Sequence, residues 1–301
     1  MSAAEDRARQ IIDQAKRFAS AGRTGEAASL LRSLLGSLGR DTPLRELREK
    51  ALTGLLHIEF ADGRLVRASK SFRQAVSEFC GDPDPQFDEL YFSGCIATGT
   101  PPVPLRRRNR FLNLIRKLDE VRDLEGFAAE CGCFRGLSSF LMCSRLKQWN
   151  PAFDGTGYQI YDSFQGLSES GPQDEPADPE DLEAKRVKAM NKPGSFAASL
   201  ADVSRALSPF PRVDYFPGWI PDAFAADNPL PYRFVHVDVD LYQPTIDSFR
   251  YFWPRLVPGG RMVCDDYNWA GARRAVEEFC AEAGVSFDVT PNQQAYFVKP
   301  G

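Results

Sequence analysis

Phe127-Ala128-Ala129-Glu130-Cys131-Gly132-Cys133-Phe134-Arg135-Gly136-Leu137-Ser138-Ser139-Phe140-Leu141 is the stretch on which the fold turns. An apolar run breaks at two glycines and an apolar helical pattern resumes, which predicts a strand, a tight turn and a helix. Glycine lets backbone approach a ligand closely, and a helix start offers free N–H donors. A lone G-x-x-x-G is a weak signal, but a second apolar run, Tyr158-Gln159-Ile160-Tyr161, ends in Asp162. An acid at that strand end is placed to accept hydrogen bonds from ribose hydroxyls. The dinucleotide pattern G-x-G-x-x-G is absent. Glu130 in the turn disfavours a diphosphate and suits a cationic, phosphate-free nucleoside such as S-adenosylmethionine.

Further along, two more apolar runs stop in acids: His236-Val237-Asp238-Val239-Asp240-Leu241-Tyr242 and Val263-Cys264-Asp265-Asp266-Tyr267. In an open parallel sheet both ends lie at the carboxyl edge, where ligands bind. Clustered anions on apolar strands call for a compensating cation. An oxygen-only donor set suits magnesium, and zinc is disfavoured because only His236 and Cys264 lie close. Asp238 and Asp240 are two apart, so a regular strand would point them the same way, but at its very end, where the chain turns, both can address one pocket without both binding the metal.

Strands are expected at 127–131, 157–161, 212–216, 233–239, 260–264, 285–289 and 295–299. Helices are expected at 107–122, 136–149, 196–207, 221–226, 244–255 and 270–283. The alternation predicts a doubly wound α/β sheet closed by a hairpin of the last two strands. Residues 1–95 read as a helical region, 96–106 as a proline-punctuated linker (Pro101, Pro102, Pro104), and 107–301 as the α/β domain. Within the first region, Phe18–Arg23 followed by Ala27 resembles Ile58–Arg64 followed by Ala68. Each has a Gly-Arg turn and a small alanine that permits close helix packing. A degenerate tetratricopeptide-like pair and a plain helical cap are both open readings. Segment 165–194, acidic and proline-containing, reads as a mobile lid or an idle solvated insertion.

Hydrophobic residues make up 43% and charged residues 26% of 301, ordinary for a globular chain, and a net charge of −4 favours no polyanion. The run Arg106-Arg107-Arg108-Asn109-Arg110 reads as a solvated helix start rather than a phosphate site. Seven scattered cysteines without a C-x-x-C pair read as reduced thiols. With a polar opening and no apolar run of spanning length, the expectation is a cytoplasmic protein that binds neither nucleic acid nor membrane.

Five motifs occur in one order: Glu130–Gly136, Asp162-Ser163-Phe164-Gln165-Gly166-Leu167, Pro217-Gly218-Trp219, Asp238–Thr245 and Asp265-Asp266-Tyr267. This series, over about 107–299, resembles the macrocin O-methyltransferase family of the TylF/MycF type. The resemblance implies a class I methyltransferase (Rossmann-like) fold with a seven-stranded sheet. It also implies S-adenosylmethionine and Mg2+ as cofactors, and a sugar hydroxyl as methyl acceptor. On this chain it implies Asp238, Asp265 and Asp266 as metal ligands and Asp240 as general base. The cofactor would meet Glu130, Gly132, Cys133, Arg135, Gly136, Ser138, Asp162, Ser163, Gly218 and Trp219. Departures are the cysteines at 131 and 133, Leu137 where a further glycine is usual, and a longer helical N-terminal region.

Other readings stand beside these. Asp265-Asp266 or Asp240 could simply cap the following helices, and His236 reads as a satisfied core residue. The acceptor could be a catechol or another vicinal diol, since the same metal chemistry serves both. From another class, the chain could be a helical-repeat scaffold carrying an inactive methyltransferase domain. A homo-oligomer and a protein partner for the N-terminal helices are both open.

Overall fold

The computed structural model describes residues 3–40, 43–176, 178 and 192–301. They form two compact units, Met1–Asn109 and Arg110–Gly301.

The first unit is helical: α1 (Ala3–Ser20), α2 (Thr24–Ser37), α3 (Arg45–Ala61), α4 (Leu65–Phe79), α5 (Pro85–Thr98) and the opening of α6 (Leu105–Asp119). The two self-similar segments are the bends of two helical hairpins, α1–α2 and α3–α4. Ala27 and Ala68, the small residues after each bend, are fully buried. Buried charge in this unit is paired: Arg48 Nε donates to Glu78 Oε2 at 2.7 Å, and Arg108 Nε to Asp88 Oδ1 at 2.7 Å. The basic run is therefore not uniformly solvated. Arg106 is exposed while Arg108 has no accessible surface.

The second unit is built on β1 (Phe127–Cys131), β2 (Tyr158–Asp162), β3 (Asp214–Pro217), β4 (Tyr232–Val237), β5 (Leu256–Cys264), β6 (Asp288–Val289) and β7 (Ala295–Val298). Its helices are α7 (Leu137–Trp149), α8 (Leu200–Ala206), α9 (Tyr242–Phe252) and α10 (Ala270–Ala283), with short 3-10 turns at Pro172–Asp174 and Trp253–Arg255. Strand order is β3-β2-β1-β4-β5-β7-β6. The first five strands run parallel, and β7 is antiparallel to both β5 and β6. Near-continuous burial of β1, β2 and β4 is what a parallel sheet covered on both faces demands. Tyr161, Phe216, Phe224, Tyr232 and Phe252 pack in edge-on and stacked contacts within one core. Burying one such ring contributes about 1.5–3 kcal/mol.

The helix expected at 221–226 is a single turn. Ala223 N reaches Trp219 O at 2.9 Å and Phe224 N reaches Pro221 O at 2.9 Å. Asn228 then turns the chain through its side chain, with Leu230 N on its Oδ1 at 3.0 Å. Pro229 and Pro231 close the segment, and so short a stretch does not propagate a helix. Strand β6 is likewise shorter than expected.

Register fixes where ligands can meet. Cys131 pairs with Tyr161 and Val237, and Val237 with Cys264. The ladder continues one residue further: Gly132 N to Tyr161 O, Asp238 N to Cys131 O and Asp265 N to Val237 O, at 2.8, 2.8 and 2.9 Å. Gly132, Asp162, Asp238 and Asp265 thus stand side by side on the carboxyl edge.

Candidate functional site

Gly132 sits at φ +80°, and a β-carbon there would overlap the carbonyl oxygen of Asp238. The glycine turn therefore lies directly against the acid-bearing tip of β4. Asp162 clasps that turn: Oδ2 accepts from Cys133 N at 2.7 Å and Phe134 N at 3.3 Å, and Oδ1 accepts from Phe164 N at 2.6 Å. Phe134 and Phe164 both hold positive φ, 47° and 55°. Bulky residues rarely adopt that conformation, and such strain clusters at ligand sites.

The other residues expected at the cofactor are dispersed in role. Gly136 caps the start of α7, and Ser138 is buried in its first turn. Cys133 is buried, and burial followed by the Asp162 charge pushes its thiol well above the ordinary range. Ser163 Oγ donates to Gly166 O at 2.9 Å, and Gly218 N donates to Asp162 O at 3.0 Å. Arg135 is exposed, with its guanidinium over the Phe134 ring, and Trp219 is exposed. Glu130 does not line the turn as the sequence suggested. β-alternation directs its side chain into the sheet interior, where it has no accessible surface.

At the neighbouring tips, Asp238, Asp265 and Asp266 each offer one oxygen, and the three oxygens lie within 4.8 Å of one another. Asp240 adjoins them at φ +60°, its N–H on Asp266 Oδ2 at 3.2 Å. Burial, then the neighbouring carboxylates, raises the pKa of Asp238 and Asp240 far above the usual carboxylate value. Burial and then Asp265 raise Asp266 as well. Burial also works to raise Asp265, but Arg110, His236 and Gln294 outweigh it and hold this carboxyl below the usual range. Helix capping does not explain the acids: α9 and α10 have Leu241 and Trp269 at their N-caps, without a side-chain cap from either.

Arg110 is the cation the sequence concealed. Its Nη2 donates to the carboxylate Oδ2 of Asp265, to Asp265 O at 2.5 Å and to Asp266 Oδ1 at 3.4 Å. Gln294, on the hairpin between β6 and β7, donates from Nε2 to Asp265 Oδ1 at 2.6 Å. One guanidinium facing four carboxyl groups leaves an oxygen-only donor set whose mutual repulsion a further cation would relieve. That chemistry fits a hard divalent cation.

Behind this edge runs a buried polar chain. His236, without accessible surface, places Nδ1 2.9 Å from Glu130 Oε1 and Nε2 3.7 Å from Asp265 Oδ1. Glu130 Oε2 accepts from Tyr158 OH at 3.1 Å and from Ser139 Oγ. Burial alone would lower the imidazole pKa, but Asp265 and Glu130 on either side push it up to about 9.

Of segment 165–194, residues 177 and 179–191 lie outside the described residues, so its expected role as a lid is not addressed there. Its first part is anchored. Asp174 Oδ1 accepts from Tyr242 N at 2.7 Å, Oδ2 accepts from Gly171 N at 2.8 Å, and Gln173 O accepts from Arg274 Nη1 at 2.7 Å. A β-carbon on Gly271 would overlap Asp174 Oδ1. Among the described residues, no helix is long and apolar enough to cross a membrane.

The family model described as macrocin-O-methyltransferase (TylF) matches residues 103–297. The mycinamicin III 3''-O-methyltransferase of Micromonospora griseorubida is 28% identical over 192 residues, covering 62% of this chain and 72% of that protein. A 4'-O-methyltransferase of Streptomyces olivaceus, named for a rhamnosyl-tetracenomycin C substrate, is 29% identical over 167 residues, covering 54% and 60%. The solved O-methyltransferase NovP superposes with a TM-score of 0.53 at 22% identity, covering 80% of this chain and 100% of that one. The calicheamicin methyltransferase CalS11 gives 0.52 at 17% identity, covering 72% and 94%. Both share the class I methyltransferase fold with the second unit's sheet.

Proposed function

Because this chain belongs to the macrocin O-methyltransferase family, we propose that it transfers a methyl group from S-adenosylmethionine to a sugar hydroxyl of a glycosylated small molecule, with Mg2+ at the strand-tip acids. The observation that carries this reading is the gathering of Asp238, Asp265 and Asp266 oxygens within 4.8 Å, on the edge where Gly132 touches Asp238. The rhamnosyl substrate named for one relative favours a sugar acceptor over a catechol.

In this reading Asp238, Asp265 and Asp266 hold the cation, which when bound lowers the pKa of an acceptor hydroxyl and orients it. Asp240 takes the hydroxyl proton as the acceptor oxygen forms its new bond to the methyl carbon; the carbon–sulfur bond breaks and a neutral thioether leaves. Burial raises the proton affinity of Asp240, which suits that task. The Gly132–Gly136 turn, the start of α7, Ser163 and Gly218 border the nucleoside, with Trp219 at the rim. A carboxylate has about four acceptor positions. Asp162 commits three of them to backbone, which leaves room for about one ribose hydroxyl. Holding oxygen and methyl near attack distance supplies much of the acceleration.

Calorimetric titration tests the assignment. Asp265→Asn is expected to lose Mg2+ binding while S-adenosylmethionine still binds. Full turnover in EDTA would remove the metal from the mechanism. Absence of any cofactor heat in the wild type would remove the methyltransferase reading itself. Labelled cofactor offered with a panel of glycosylated metabolites identifies the acceptor by the label it gains.

A further inference from the structure

Two buried residues, Glu130 and His236, have no place in the chemistry just described, yet their geometry points at it. The His236 ring lies between two carboxylates, with Nδ1 at 2.9 Å from Glu130 Oε1 and Nε2 at 3.7 Å from Asp265 Oδ1. The second approach falls short of a hydrogen bond, and Nε2 has no partner although it is fully buried. A buried polar nitrogen without a partner costs about 1–3 kcal/mol. Such a cost persists where the group serves a bound state. Glu130 is itself fixed, by Ser139 Oγ from α7 and by Tyr158 OH from β2. Turning the ring away from Asp265 would break its hydrogen bond to Glu130, a partner that α7 and β2 hold in place.

We infer that Glu130 and His236 are a positioning pair, which orients Asp265 as a cation ligand from inside the sheet. Neither residue touches substrate. Glu130 holds the ring through Nδ1, and the ring presents Nε2 to the Asp265 oxygen that Gln294 also holds. Ligand carboxylates are commonly steered by such outer partners, and loss of one costs about 10- to 100-fold in metal affinity. The inference rests on the reading of Asp238, Asp265 and Asp266 as the cation site.

The test is Mg2+ titration into the whole protein, with S-adenosylmethionine affinity without metal as the second readout. Asparagine at this position reproduces the atom facing Glu130 but removes the one facing Asp265; glutamine can present a donor where Nε2 stood. His236→Asn is expected to bind Mg2+ about 10- to 100-fold more weakly, and His236→Gln to recover most of that loss. Metal-free cofactor affinity should stay within about 2-fold in both. Wild-type Mg2+ affinity in folded His236→Asn would overturn the pairing, as would equal loss in the Gln variant. Parallel loss of cofactor affinity would mark general damage and overturn it too. If His236→Asn does not fold, Tyr158→Phe takes its place, removing one hydroxyl remote from the cation. About 3-fold weaker Mg2+ binding is then expected by the same outer-partner logic, and an unchanged value overturns the proposal. If the wild type takes up no Mg2+, the cation site itself fails. That outcome is distinct from a wild type that binds and variants that bind equally.

Discussion

Arg110 shows how much one residue contributes to the charge balance of the site. Its guanidinium lies against Asp265 and Asp266, a quarter exposed. Removing one partner of a well-buried pair costs about 3–5 kcal/mol, and partial exposure screens that figure. Arg110→Met should therefore lower stability in EDTA by about 2 kcal/mol, and added Mg2+ should recover much of the loss in a thermal melt. A melt unchanged in EDTA would show that the acids do not need the arginine. Asp162→Ala removes three backbone hydrogen bonds, each worth about 1.5–3 kcal/mol to a charged acceptor before compensation by water. Weaker S-adenosylmethionine binding and a lower melting point together are expected; an unchanged dissociation constant would separate this acid from the cofactor. At this scale sequence reading was uneven. Acids closing apolar runs are conspicuous, so Asp238, Asp240, Asp265 and Asp266 stood out. Arg110 was hidden because its partners lie 155 and 156 positions away, and a run of arginines says nothing about which one turns inward. Glu130 misled because a residue beside a glycine turn looks like part of it, whereas strand alternation sends its side chain to the interior.

Elements were legible where periodicity was strong. The long apolar stripe of α10 and the buried runs of β1 and β2 were placed within a residue, while β4, expected at 233–239, ends at Val237 where the acids begin. The turn at 221–226 was not, since short alanine-rich stretches look helical until flanking prolines are weighed. The stretch Gly171–Glu175 read as part of a lid or an idle insertion, yet it joins two helix starts: Asp174 accepts from the first amide of α9 and occupies the space beside Gly271 in α10. A carboxylate at a helix N-terminus gains from the free N–H groups there. Gly271→Ala should expel Asp174 from its seat, lowering stability by about 1–2 kcal/mol for the lost cap and speeding proteolysis near 171–176. Limited proteolysis with mass mapping reads this directly, and a cleavage pattern identical to wild type would count against the anchoring.

At the scale of the sheet, the alternation of apolar runs with helices conveyed the doubly wound architecture and the closing hairpin. The pairing of one tip with the next was not readable, because register between strands more than a hundred residues apart depends on packing rather than on local pattern. That register has a consequence for how the enzyme could change. Where Gly132 meets the Asp238 carbonyl, the turn proposed for the nucleoside and the acids proposed for the ion are separated by one layer of backbone atoms. Gly132→Ala should impair both partners together, with S-adenosylmethionine and Mg2+ titrations each weakened by about 10-fold or more, as about 1.4 kcal/mol of displacement cost to each would produce. Loss of one affinity alone would deny the shared wall. On that proposal, variation that broadens substrate choice belongs to the loops beyond this partition, for the two halves of the reaction would lean on the same few atoms and neither could drift without dragging the other.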